Sequence, residues 1–311
     1  YYTKTISLNF NNNILPTAPN FSLNNTNPTP VSSNTVLVNI ATGVALSNCA
    51  SFSHLAVTDT NSAPGLMQFN IDCSTSGTQT ESVTFSTGDG AKTLYLWAID
   101  NEGVISTPKT ISLTLDSLPP TGAVTIANSN IKGGTTQTVS ISANDSGTGI
   151  QSLDLFVSYN AGSTYSLVDH LATNATSYSW SVPLTDASSA RLKIVVRDFT
   201  GVSTTAYSSL FSIDSTGPLI GLSTPSGVVK GGSPLPLSFS SSDVSGVSSL
   251  KLYYAADGIN FGSATTVATD ATTYNFSIPS SNTSAAKLKL VAQDAAGNSS
   301  ETTTYAFVVD S

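Results

Sequence analysis

The stretch Arg191-Leu192-Lys193-Ile194-Val195-Val196-Arg197-Asp198 decides the fold. Leu192, Ile194 and Val196 alternate with Arg191, Lys193 and Arg197, so a chain of period two would bury one set and expose the other. That is a β-strand with a core face and a solvent face. The same arrangement returns at Lys287-Leu288-Lys289-Leu290, and the returns extend in both directions. Tyr178-Ser179-Trp180-Ser181-Val182-Pro183 matches Tyr274-Asn275-Phe276-Ser277-Ile278-Pro279, and Lys132-Gly133-Gly134 matches Lys230-Gly231-Gly232. The chain therefore repeats itself about every 97 residues. A more divergent first copy closes on the same signal: Asp100-Asn101-Glu102-Gly103 stands where Asp198-Phe199-Thr200-Gly201 and Asp294-Ala295-Ala296-Gly297 stand later.

Each copy ends on an Asp-Ser pair, Asp116-Ser117, Asp214-Ser215 and Asp310-Ser311, and the first two run on into Pro119-Pro120 and Pro218. Linkers are thus expected near 117 and 215, with domains at 17–117, 118–215 and 216–311. Within the second copy, period-two runs bounded by Gly, Asn, Asp, Ser and Pro predict strands near 121–127, 136–144, 151–158, 164–169, 177–182, 190–198 and 204–213. Seven short strands in so few residues predict an all-β chain of three tandem immunoglobulin-like sandwiches in an elongated array.

Residues 1–16 add one more strand. Lys4-Thr5-Ile6-Ser7-Leu8-Asn9-Phe10-Asn11 matches Lys109-Thr110-Ile111-Ser112-Leu113-Thr114-Leu115-Asp116, the last strand of a copy. A strand bearing Ile6, Leu8 and Phe10 needs a sheet edge to pair with. Three arrangements meet that need: an upstream copy in a longer array, the first copy's own sheet, or a neighbouring chain.

Composition narrows the function classes. Only 10% of the 311 residues are charged, against about 25% in an average soluble protein. The formal net charge of −8 repels phosphate backbones and anionic lipid, so nucleic acid is not an expected partner. No run of about 18 apolar residues occurs and the N-terminus lacks the basic-then-apolar order of an export signal, so no direct membrane insertion is expected. The Ser- and Thr-rich, charge-poor surface suits an extracellular or cell-surface protein.

The motifs together resemble a family. Asp145-Ser146-Gly147-Thr148-Gly149-Ile150 and Asp243-Val244-Ser245-Gly246-Val247 after the second strand, Asp294-Ala295-Ala296-Gly297-Asn298 after the sixth, and the Asp-Ser linkers before proline look like tandem bacterial immunoglobulin-like domains of large surface proteins and adhesins. The resemblance implies a stalk or adhesive module of a surface protein or fibre. Its partners would be further repeats of the same polypeptide or of neighbouring chains, and a host or surface glycan or protein. Two alternatives remain open: a strand-exchanging subunit of an extracellular filament, and a carbohydrate-binding appendage of an exported enzyme.

No catalytic motif stands out. His54 and His170 lie in different copies without triad or zinc spacing. Gly88-Asp89-Gly90-Ala91-Lys92-Thr93 lacks phosphate-loop spacing and leads into a strand, so it is read as a hairpin turn. The three glutamates, Glu81, Glu102 and Glu301, form no recurring acid/base pair. The chain is not expected to be an enzyme. Cys49 and Cys73 precede the third strand and close the fourth, so both reach one end of the first sandwich and a disulfide is allowed. It would contribute roughly 3 kcal/mol through the unfolded state; two free thiols are the alternative.

The recurring aspartates are the candidate site. In a seven-strand sandwich the second-to-third and sixth-to-seventh loops share one end, so Asp145 and Asp198 should face linker residue Asp116, and Asp243 and Asp294 should face Asp214. Three carboxylates at a hinge could hold Ca2+, which takes six to eight oxygen ligands. The resemblance also implies interdomain calcium. Asn11 and the loop at Ser47-Asn48 break the pattern, so no site is expected there. The rival reading needs no metal: Asp198 and Asp294 start hairpin turns and accept from backbone amides two residues on, Asp145 and Asp243 form loop Asx turns, and Asp116 and Asp214 serve linker solubility.

Overall fold

The computed structural model describes residues 21–23, 30–42, 53–72, 77–85 and 88–311. Ile6, Leu8, Phe10, Asn11, Ser47, Asn48, Cys49 and Cys73 lie outside the described residues, and with them the expected extra strand and disulfide. The architecture is all-β, of immunoglobulin-like sandwiches. Among the described residues the one helical element is a single 3-10 turn at Leu66–Gln68, and no helix is long and apolar enough to cross a membrane.

The strands come in three successive blocks. The first comprises β1 (Phe21–Leu23), β2 (Thr35–Thr42), β3 (His54–Thr58), β4 (Ile71–Asp72), β5 (Gly77–Thr84), β6 (Gly90–Ile99) and β7 (Lys109–Leu115), paired as sheets β1-β2-β5 and β4-β3-β6-β7. In the second are β8 (Thr121–Ile126), β9 (Asn130–Lys132), β10 (Thr136–Asn144), β11 (Ile150–Ser158), β12 (Ser166–Leu171), β13 (Ser177–Ser181), β14 (Ala187–Asp198), β15 (Ser203–Tyr207) and β16 (Phe211–Asp214). They form β13-β10-β8 and β12-β11-β14-β16-β9, with β15 on β14. The third block is β17 (Leu219–Leu222), β18 (Val228–Lys230), β19 (Pro234–Ser242), β20 (Val247–Ala255), β21 (Thr265–Val267), β22 (Thr273–Ser277), β23 (Thr283–Asp294), β24 (Ser299–Thr303) and β25 (Phe307–Asp310). Its sheets, β17-β19-β22 and β18-β25-β23-β20-β21 with β24 on β23, copy those of the second strand for strand.

The alternation in β14 does what its sequence dictates: Leu192, Ile194 and Val196 are fully buried, as are Leu288, Leu290 and Ala292 of β23. The opposite face is covered by the strand's own cations. Lys193 lies between the rings of Phe156, 4.2 Å from its centroid, and Tyr165, 4.4 Å away. Lys289 is placed likewise over Phe261 and Tyr253. Trp180 is core, edge-on to Phe211.

Two features differ from the sequence expectation. The stretch 128–135, expected to be loop, contains β9, which pairs in parallel with β16 through Ile131 and Ile213. Val229 and Val309 repeat this pairing, and the bridge between Val31 and Leu115 is its remnant in the first block. The first strand of a copy therefore serves both sheets. The repeated Lys-Gly-Gly follows from this crossing, because Gly133 donates its N–H to Asp214 O and a Cβ there would land on the Ser215 hydroxyl. Gly231 stands in the same relation to Asp310 and Ser311.

The second difference is that the single strand expected over 204–213 is two, β15 and β16. Ser208, buried between them, donates its N–H to Leu192 O at 3.0 Å, while its Oγ accepts the Leu192 N–H at 3.0 Å. A hydroxyl thus replaces the backbone carbonyl, and the chain steps off β14 and rejoins it beyond a bulge between Ala187 and Ala190. Thr304 against Leu288 and Ser106 against Ala98 do the same, and all three hydroxyl residues are buried.

The described residues fall into two compact units. The first holds those up to Thr121 together with Ala143–Leu153 and Val196–Thr204, and the second holds the remainder. The first unit's core includes Val36, Val38, Ile40, Leu55, Leu94, Leu96 and Leu115; the second unit's includes Leu237, Leu250, Leu252, Leu288, Leu290 and Val309. The loops bearing Asp145 and Asp198 belong to the same unit as Asp116.

Candidate cation sites

Asp198 and Asp145 are placed by local turns, and Asp116 by a residue 32 positions further on. Asp198 ends β14, where its N–H donates to Val202 O and Gly201, at φ +87°, donates its N–H back to Asp198 O. Asp198 Oδ1 accepts from Thr200 N (2.8 Å), Thr200 Oγ1 (2.7 Å) and Val202 N (2.9 Å). Asp145 follows β10, and its Oδ2 accepts from Gly147 N (3.1 Å) and Gly149 N (2.6 Å). Asp116 follows β7; its Oδ2 accepts both the N–H and the hydroxyl of Thr148 at 2.7 Å.

The turns use one oxygen of each carboxylate and leave the other bare. Asp116 Oδ1, Asp145 Oδ1 and Asp198 Oδ2 are buried atoms with no hydrogen-bond donor. Asp116 is 1% exposed and Asp198 0%. The structure brings the three residues together, one carboxylate oxygen from each lying within 4.8 Å of the others. These hydrogen bonds thus leave one oxygen of each carboxylate without a donor.

Three like charges this close repel by roughly 3 kcal/mol per pair at an effective dielectric of about 20. A buried acceptor without a donor also forfeits about 1–3 kcal/mol, more when charged. A cation removes both costs. The donors are all oxygen, with no sulfur or imidazole, which selects a hard ion such as Ca2+ over zinc or copper. Backbone carbonyls and water would complete the six to eight ligands that Ca2+ takes.

Asp214, Asp243 and Asp294, all in the second unit, meet the same distance condition. Asp214 Oδ1 accepts from Thr216 N and Oγ1, and its Oδ2 is buried without a donor. Asp243 Oδ1 accepts from Ser245 N and Oγ. Asp294 differs from Asp198, because Asn298 donates its N–H to Oδ1 (2.8 Å) and its Nδ2 to Oδ2 (2.8 Å). The same amide also donates to Asp214 O at 3.1 Å.

The linkers are held from behind as well, which sequence reasoning missed. Ser117 donates its N–H to Asp89 Oδ2 (3.0 Å), Ser215 to Asp186 Oδ1 (2.7 Å) and Ser311 to Asn282 Oδ1 (2.8 Å). The available signal was the return of Asp89, Asp186 and Asn282 at the repeat spacing. Asp116 and Asp214 thus cluster with residues that follow them in the chain, while the Ser after each is held by a residue that precedes it.

The other candidates stay apart. His54 is exposed on β3, and His170 Nδ1 pairs with Asp154 Oδ1 at 2.6 Å on an open face. The stretch 88–93 is not the expected hairpin turn, because Gly90, at φ +118°, already opens β6, and β5 before it belongs to the other sheet.

No family model matches the sequence, and no curated protein matches it. Solved structures to which the fold is similar include bacterial fibronectin-III-like modules, tandem-repeat adhesin domains and the FN1-FN3 domains of chicken CNTN1. The Ca2+-stabilized adhesin of an Antarctic bacterium that binds ice aligns at 18% identity and TM-score 0.43, over 95% of this chain and 75% of that one. A 1.5-MDa bacterial ice-binding adhesin aligns at 16% identity and TM-score 0.37, over 95% and 99%. The fibronectin(III)-like modules of CbhA from Clostridium thermocellum align at 17% identity and TM-score 0.29, over 59% and 94%.

Proposed function

We propose that this chain is an extracellular structural or adhesive segment of a bacterial surface or fibre protein, built from immunoglobulin-like domains at 17–117, 118–215 and 216–311 whose linkers are fixed by calcium. The observation that supports this most is the set of bare, buried carboxylate oxygens on Asp116, Asp145 and Asp198, which unite a linker residue with two loops. A cation there ties the linker to the loops of the following domain. The role is mechanical. Partners on this reading are further repeats and a surface glycan or protein engaged by loops or sheet edges.

The test is a thermal melt and a small-angle scattering profile of the full chain, in calcium and in chelator. A ligand bound only by the folded state stabilises it by about 2.7 kcal/mol at a hundredfold excess over its Kd. Calcium should raise the melting temperature by several degrees and narrow the distribution of particle lengths. Asp198→Asn combined with Asp294→Asn should abolish both responses. Identical melts and profiles in calcium and chelator would sink the calcium linker.

A further inference from the structure

We infer that the two carboxylate clusters are unequal cation sites: Asp116, Asp145 and Asp198 load first, and Asp214, Asp243 and Asp294 load only at higher free cation. The inference rests on the cation reading proposed above and adds an order to it. It comes from what stands four residues after the turn aspartate. Behind Asp198 that residue is Val202, which offers its backbone N–H alone. Behind Asp294 it is Asn298, whose buried side-chain amide occupies Asp294 Oδ2 and links it to Asp214 O. Both neighbours of that nitrogen are pure acceptors, so the amide must present its donor there.

Three carboxylate oxygens are therefore bare and buried in the first cluster, whereas in the second only that of Asp214 is both. Lys132 Nζ donates to Gly297 O at 3.1 Å, placing an ammonium on the turn that carries Asp294. The turn that carries Asp198 holds a cation of its own, since Arg197 Nη1 donates to Gly201 O at 2.8 Å, so turn charge does not separate the clusters and the amide at Asn298 does. Affinity for Ca2+ is tuned by the number of ligand charges and the rigidity of the site. The first cluster presents more bare, buried carboxylate oxygens. In the second, an amide that already joins linker to loop competes with a cation for Asp294 Oδ2.

Calorimetric titration of the full chain with calcium at low ionic strength tests the order. Two steps separated by about tenfold or more are expected, the tighter lost in Asp198→Asn and the weaker in Asp294→Asn. Exchanging the key side chains gives a second measurement should either aspartate variant fail to fold by circular dichroism. Val202→Asn should weaken the tighter step, and Asn298→Val should tighten the weaker one, each by about tenfold. Coincident steps, or exchanges that leave both affinities in place, would overturn the inference while leaving calcium binding intact. Absence of any binding would overturn the calcium reading itself.

Discussion

Asp116 gives one carboxylate oxygen to Thr148 and keeps the other bare: Oδ2 accepts the Thr148 N–H and hydroxyl, each at 2.7 Å, while Oδ1 is buried without a donor. The end of β7 is thereby tied to the loop 145–149 by charge-assisted hydrogen bonds before any ion enters. The same bonds fix a carboxylate that clusters with those of Asp145 and Asp198, one oxygen from each lying within 4.8 Å of the others. Local turn chemistry thus prepares the cluster.

Gly147 tests that arrangement. Its φ is negative, so alanine is conformationally acceptable, yet a Cβ would land on the Asp116 carboxylate. Gly147→Ala should therefore push Asp116 off Thr148 and cost about 1–3 kcal/mol in urea denaturation, with the calcium response reduced. Gly262→Ala is the control, because its Cβ would meet nothing nearer than Tyr254 O at 3.7 Å. It should be neutral or gain up to about 1 kcal/mol from the stiffer unfolded chain. Equal stabilities of the two variants would refute the close approach.

The hydroxyls that split the last strand make a second test. Ser208→Ala leaves the Leu192 N–H buried without an acceptor, and Thr304→Val does the same to Leu288. Each should destabilise by about 1–3 kcal/mol, the usual cost of an orphaned buried donor. Thr304→Ser, which keeps the oxygen, should stay near the parent. Amide hydrogen exchange at Leu288 reports the bond directly, and should accelerate in the valine variant alone. Unchanged protection there would show that the Thr304 hydroxyl is not what shields the Leu288 amide.

Much of this was legible in the residues. The alternation from Arg191 to Arg197 was enough to place β14 and its buried face, because a period of two leaves no other regular structure. The meeting of Asp116 with Asp145 and Asp198 followed from strand order, which puts two loops at one end of a sandwich. What strand order cannot carry is which oxygen a turn uses. That depends on Thr148 and Asn298, partners lying 32 and 84 residues from the linker aspartates they touch. The three residues of β9 are too few to show a period, so their parallel pairing with β16 was invisible. Ser208 reads as one serine among many until Leu192, 16 residues away, is seen to need an acceptor.

The loop at Asp257 supplies a test by pH. Its Oδ1 accepts the N–H groups of Ile259 (2.9 Å) and Asn260 (2.8 Å), and its Oδ2 accepts Asn260 Nδ2 (2.6 Å). These donors, the Asn260 N–H foremost, favour the ionised form and hold the carboxyl down to about 2 from an ordinary 3.8. A carboxyl lowered on folding contributes stability that is present above its unfolded value and lost as pH falls from there through the folded value. The window thus runs from about 3.8 down to about 2. The side chain is exposed, so the effect on the whole protein is small and the residue itself is the place to read it. A carbon-detected NMR titration should give Asp257 a midpoint near 2. In Asn260→Ala, which removes the side-chain donor and keeps the backbone one, the midpoint should rise only part of the way. A parent midpoint at the ordinary value would mean that the loop does not hold its three bonds in solution.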